Sequence, residues 1–288
     1  MTTTAESRPI RQRSALLKRR WPIAAALALV AIVFLIPQLW LVSLSLKDRG
    51  AAFAYPPQWI PDNPSLENYI FALTATQVPW YLWNSVKVAA LATALTLIIG
   101  IPAAFVLSRE RFAGRGPLLA ILLAVQMLSP VVLLLPLYSL VERLGLADTH
   151  AGLILAYAAI QVPFTAWVLK NFFDGVPPAL FEAARLDGAS RARTLWSIAL
   201  PIIAPGLAAT TIFNLAAYWS EFALALVLLD SQARFTIPIG VFSLQSAYET
   251  EWQLVAAASF IGLVPMMAAF VFLQRYFIAG LTAGAVKG

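Results

Sequence analysis

In a chain that is 60% hydrophobic and only 12% charged, the polar side chains that could do chemistry are few enough to take one by one. There is a single histidine, His150, and no cysteine. Disulfides and thiolate metal sites are therefore excluded, and His150, in a short polar loop without ligand partners, reads as a solvated loop residue. A Gly-x4-Gly-Lys-Ser/Thr phosphate loop, a His-Glu-x2-His pair and any nucleophile set beside a base are all missing. Two kinds of residue remain. One is the polar block Glu182 to Pro201, EAARLDGASRARTLWSIALP, whose fixed positions read Glu-Ala-Ala-x3-Gly-x9-Ile-x-Leu-Pro. The other is a scatter of polar and aromatic residues in apolar runs: Gln126, Gln161, Asn214, Tyr218, Trp219 and Glu221. Such groups are costly in hydrocarbon unless they meet a partner or a wet cavity. They suit a hydroxyl-rich ligand, and they equally suit hydrogen bonding from helix to helix.

The elements that must position these residues are membrane spans. A mean hydropathy of +0.78 describes a chain whose solvent is lipid. Six stretches, near 21–46, 82–107, 117–141, 152–173, 202–229 and 252–275, have the roughly 20 apolar residues a crossing needs. Backbone satisfaction in lipid requires helices, and the runs lack barrel-strand alternation. With the N-terminus inside, fifteen of the twenty Lys and Arg fall on the inner side, in the tail to Arg20, the 108–116 loop, the 170–200 segment and the C-terminal end. The positive-inside rule then makes both termini and the motif loop cytoplasmic, and the net charge of +6 needs no nucleic-acid partner. The expected organisation is a basic tail over 1–20 and one membrane domain over 21–288, with no cleaved signal. Pro130, Pro136 and Pro163 are expected to interrupt the third and fourth helices. Trp21, Trp80, Trp83, Trp196 and Trp252 mark interfaces. The proline-rich outer segment 47–79 is too polar to span, and Ser65 there is a candidate N-cap.

Within the motif block, Pro177 and Pro178 sit where a first helical turn tolerates them, predicting a short helix from Ala179 to about Asp187. Gly188 suits the left-handed residue that ends it, Ser190 can cap the next helix, and Pro201 is expected to open the fifth span. Ala183 and Ala184 offer a side-chain-poor face for another protein, and Glu182 and Arg185 can set its register by ion pairs. A chain with no energy source of its own needs such a contact. Glu221, about 30 Å along a helix from Pro201, would lie nearer the outer surface than the midplane, at an outer gate or a point of substrate entry.

The block resembles the coupling loop, or EAA motif, of ABC-importer permeases. Asn68-Tyr69, Asn84-Ser85, Pro136-Leu137-Tyr138, Leu144-Gly145-Leu146 with Asp148-Thr149, Phe172-Phe173 and the C-terminal GLTAGAVKG are similar to the carbohydrate-uptake permeases of the maltose-transporter type, and the last to their second permease subunit. Trp219-Ser220-Glu221-Phe222 departs at Ser220, where the family commonly has Asn. The resemblance implies an all-α, type I importer transmembrane domain of six helices in the bacterial cytoplasmic membrane, with a coupling loop over about 174–200. Glu182, Ala183, Ala184, Arg185, Asp187, Gly188, Ile198, Leu200 and Pro201 would couple to the ATPase. It further implies a different, homologous permease subunit, an ATP-binding subunit dimer that carries ATP and Mg, and an extracytoplasmic solute-binding protein, with no cofactor and no catalysis in this chain. The alternatives are import of a non-sugar solute (a polyol, a phosphorylated or sulfonated derivative, a peptide) and a gradient-driven secondary transporter.

Overall fold

A computed structural model describes the backbone of residues 10–245 and 251–285, and the side chains of 21–245 and 251–272. Helix α1 (Ile10–Ser45) runs from the basic segment into the first apolar stretch without a break, so the backbone shows no boundary at Arg20. From Trp21 onward its most apolar window buries nothing inside the chain; its outward surface is left for lipid or another subunit. The polar link that follows is stitched down. α2 (Arg49–Ala52) is capped by Asp48, and the Asn68 amide donates to the Ser45 and Lys47 carbonyls at 2.9 and 2.8 Å. Lys47 is buried, its ammonium bonded to the Gln58 carbonyl and lying 4.5 Å over the Trp40 ring. Ser65 Oγ accepts the Glu67 N–H at 3.1 Å as α3 (Glu67–Thr74) begins.

The centre is a parallel pair, α4 (Val78–Arg109) and α7 (His150–Asp174), whose C-terminal ends meet where Ser108 bonds Asp174. They approach closely at Gly100, where an added Cβ would lie 2.7 Å from Thr165 Cγ2. Between them the third span is broken. α5 (Arg115–Gln126) and α6 (Pro130–Arg143) meet at 104°, because Pro130 has no N–H for the preceding turn and pushes Ser129 into an extended conformation. Pro136 and Pro163 do not break their helices: α6 and α7 run through them.

The fifth span also departs from expectation. After α8 (Pro178–Leu186), a continuous helical run comprises α9 (Arg191–Arg193), a π-helical stretch over Thr194–Ala199 and α10 (Leu200–Ile202). It includes Pro201 rather than starting there. The chain then bends by 82° into α11 (Ala204–Trp219), since Pro205 cannot donate to the Pro201 carbonyl and its ring crowds it. α11 ends at Trp219 instead of continuing to 229. Short helices α12 (Ala223–Leu228) and α13 (Ile237–Ser243) lead to α14 (Trp252–Ala285). Among the described residues four helices are long and apolar enough to cross a membrane, and counting each of the two bent pairs as one span gives up to six. All regular structure among the described residues is helical.

Candidate functional site

The motif block folds as its local chemistry dictates. Pro178 is the first residue of α8, and Gly188, at φ 71°, ends it. Gly188 N–H reaches the Arg185 carbonyl and Ala189 N–H the Ala184 carbonyl at 3.1 and 2.9 Å, the paired closure of a Schellman turn. Ser190 Oγ accepts the Arg193 N–H at 3.2 Å. Nothing lies within 4 Å of a Cβ built on Gly188, so backbone conformation alone demands glycine there. The π-helical stretch just before Pro201 closes with Leu200 N–H on the Leu195 carbonyl, five residues back.

Glu182, Ala183, Arg185, Asp187, Gly188 and Pro201 are exposed, whereas Ala184 turns inward and Ile198 and Leu200 are half-buried. The side-chain-poor face is thus Ala183 alone. Beside it stands Leu186, 89% exposed, a protruding apolar residue that the motif spacing leaves unspecified and that sequence reasoning missed. Such a knob on a rigid turn suits insertion into another protein.

The loop is fastened to the bundle at the end of α4. Phe181 of α8 packs in a buried cluster with Phe105, Phe173, Leu169, Leu195 and Ala199. Three consecutive residues at the end of α4 then grip three parts of the loop. Ser108 Oγ donates to Asp174 Oδ1 at 2.6 Å. Arg109 Nη2 donates to the Phe173 and Val176 carbonyls, the latter at 2.7 Å, and its guanidinium lies 4.0 Å over the Phe181 ring. Glu110 pairs with Arg191 at 3.5 Å. A cavity of about 410 Å³ at this junction is lined by Glu110, Arg111, Glu182, Arg185, Arg191 and their neighbours, offering both charge signs to a visitor. From sequence, Arg109 counts only as one more positive residue; its grip on carbonyls 64 and 67 residues away has no local signature.

At the opposite end, α4 holds a second loop. Asn84 Nδ2 donates to the Ala233 and Phe235 carbonyls at 2.9 and 3.0 Å, and Ser85 Oγ accepts the Ile237 N–H at 2.7 Å. Asp148, at φ 51°, joins from the α6–α7 turn. It accepts the N–H groups of Asp230 and Ser231 and the Ser231 hydroxyl, and pairs with Arg234 at 3.0 Å. Burial alone would raise the Asp148 pKa; the hydrogen bonds from Ser231 and Asp230, with the Arg234 charge, outweigh it and hold the carboxyl below its ordinary range. His150 Nε2 donates to the Arg234 carbonyl at 2.9 Å, so it is half-buried and partnered rather than a freely solvated loop residue.

The six stranded residues divide. Asn214 and Thr165, both fully buried, bond each other between α11 and α7. Tyr218 stacks on Tyr157 with ring centroids 5.2 Å apart and bonds Thr96 Oγ1 at 2.7 Å. Trp219 Nε1 donates to the Gly262 carbonyl at 3.0 Å. Glu221 is not inside a helical span but in the break after α11. There it accepts the Tyr157 hydroxyl at 2.7 Å and caps α12 through the Leu224 and Ala225 N–H groups at 2.8 and 3.2 Å. Gln126, exposed at the α5–α6 break, and Gln161, half-exposed on α7, spend no side-chain hydrogen bond on the described residues.

Residues 96–282 match the family model described as binding-protein-dependent transport system inner membrane component. The chain is 35% identical over 266 residues to the sulfoquinovosyl glycerol transport system permease protein of Agrobacterium fabrum, covering 92% of this chain and 93% of that one. It is also 35% identical over 279 residues to the trehalose/maltose transport system permease protein of Thermococcus litoralis, covering 96% and 99%. Among solved structures, a chain of a bacterial ABC transporter involved in the import of the acidic polysaccharide alginate superposes with a TM-score of 0.78 at 21% identity, covering 96% of this chain and all of that one.

Proposed function

The chain belongs to the family of binding-protein-dependent transport system inner membrane components, and from that premise we propose that it imports a sugar or sugar derivative as one of two unlike permease subunits. It forms half of the pathway in the cytoplasmic membrane and carries no catalysis of its own. ATP and Mg belong to a pair of partner ATPase subunits, and a solute-binding protein delivers substrate from outside. Both termini and the α8 end face the cytoplasm, in keeping with the Lys and Arg distribution.

The observation that carries this reading is the complete motif folded as an exposed, stiff helix–turn–helix. A rigid projection with Leu186 at its tip and a two-signed cavity behind it is what a closing partner needs to move the spans. Glu182 and Arg185 set its register in the ATPase. Relatives named for sulfoquinovosyl glycerol and trehalose/maltose transport support the substrate class. Within this chain the solute-facing donors and acceptors are Gln126 and Gln161, because Asn214, Tyr218, Trp219 and Glu221 already bond inside the bundle. Affinity purification in mild detergent tests the reading. A second permease should accompany the chain in equal amount and an ATP-binding subunit in twice that amount; recovery of a homomer would sink it.

A further inference from the structure

We infer that α4 is the rod that carries the stroke of the coupling loop to the outer face. Ser108, Arg109 and Glu110 act as positioning residues at its inner end, and Asn84 and Ser85 at its outer end. The inference rests on the importer reading and adds the route of the motion. Both grips lie on one uninterrupted 32-residue helix and its C-terminal cap. Asn84 and Arg109 are 25 positions apart, about 37 Å at 1.5 Å per residue, so one element touches the loops at both ends of the bundle.

The inner grip fixes three separate points of the loop: Asp174 before α8, Phe181 with the Phe173 and Val176 carbonyls at its root, and Arg191 beyond the Gly188 turn. Displacing the loop therefore displaces the end of α4. The covalent route into α11 is softer, because it passes through the π-helical stretch and then an 82° bend. At the outer end, the backbone between Ala233 and Ile237 hangs from Asn84 and Ser85, while the preceding residues are tied to Asp148. A shift of α4 against α7, which begins two residues beyond Asp148, changes the first set of bonds relative to the second, and the exposed tip around Gln232 moves. Spatial continuity alone does not establish coupling; a response at one end that depends on the grip at the other does.

The chain has no cysteine, so Gln232→Cys gives this subunit a unique reporter. In the assembled importer, the rate at which a membrane-impermeant maleimide modifies the introduced thiol is measured with and without a non-hydrolysable ATP analogue. The relay predicts a nucleotide-dependent change of about fivefold or more, the lower end of ordinary allosteric coupling. Arg109→Gln should reduce it to below about twofold while analogue binding persists. Glu110→Arg, at the cavity rim, and Arg191→Glu, on the surface, should each blunt the response, and the double reversal should restore it, which a merely structural role does not predict. A full response in Arg109→Gln, no rescue by the reversal, or no response in the parent reporter overturns the relay. None of these results bears on the importer reading, which fails only if no ATPase subunit co-purifies.

Discussion

Replacing Glu221 with alanine separates a substrate contact from a structural cap. The carboxyl group accepts three hydrogen bonds, from the Tyr157 hydroxyl and from the Leu224 and Ala225 N–H groups. Losing the cap of α12 costs about 1 kcal/mol. Tyr157 is 2% exposed, so its hydroxyl, left without an acceptor, costs about 1–3 kcal/mol more. The total is about 2–4 kcal/mol, a large part of a typical margin of stability. Unfolding of the purified complex in mixed micelles, alongside uptake in vesicles, is the assay. Glu221→Ala should lower both the midpoint and uptake. Adding Tyr157→Phe removes the orphaned hydroxyl and should recover about 1–3 kcal/mol, and Glu221→Gln, which keeps an acceptor, should cost least. If Glu221→Ala unfolds like the parent and yet loses uptake, the capping account is refuted and Glu221 lies on the solute path.

Gly188→Val forces a β-branched residue to φ 71°, at a cost of about 1–3 kcal/mol. It should leave the complex assembled and hydrolysing ATP while less solute crosses per ATP, measured as the ratio of the two rates. Gln126→Ala and Gln161→Ala should raise the KM for transport without shifting the unfolding midpoint, since neither amide bonds within the described chain; an unchanged KM in both removes them from the pathway. The depressed pKa of Asp148 stabilises the outer loop fully above the unfolded carboxyl range, near about pH 4, and that contribution disappears as pH falls through the lower folded value. Amide protection over 229–236, taken relative to the free-amide exchange rate at each pH, should therefore fall below about pH 4, and in Asp148→Ala it should be low already at neutral pH.

What was legible in the sequence was local. Pro178, Gly188 and Ser190 act on backbone within five residues, and the helix, turn and cap expected from them are present. The break at Pro130 followed from the same chemistry, whereas Pro136 and Pro163 show that a proline in a packed helix need not end it. The early end of α11 was not legible. Apolar residues continue past Trp219, and the stop depends on Glu221 finding Tyr157, 64 residues away in sequence. Asn84 and Arg109 likewise owe their roles to carbonyls brought near by the fold, at separations of 149 and 64 residues. Hydropathy assigns Asn84 to a span and Arg109 to its border, and says nothing of what either holds.

The π-helical stretch before Pro201 fixes a phase. Closing a turn over five residues instead of four takes up one residue more than an α-helix would, and each residue advances a helix by about 100°. The face that Ile198, Leu200 and Pro201 present, and the heading from which the chain enters its 82° bend, are therefore set by that single additional residue. Deleting one residue between Thr194 and Ser197 would leave composition and hydropathy almost untouched, yet it would rotate the start of the fifth span by more than a quarter turn against the loop that precedes it. The fixed count of nine between Gly188 and Ile198 is thus an angular setting as much as a length.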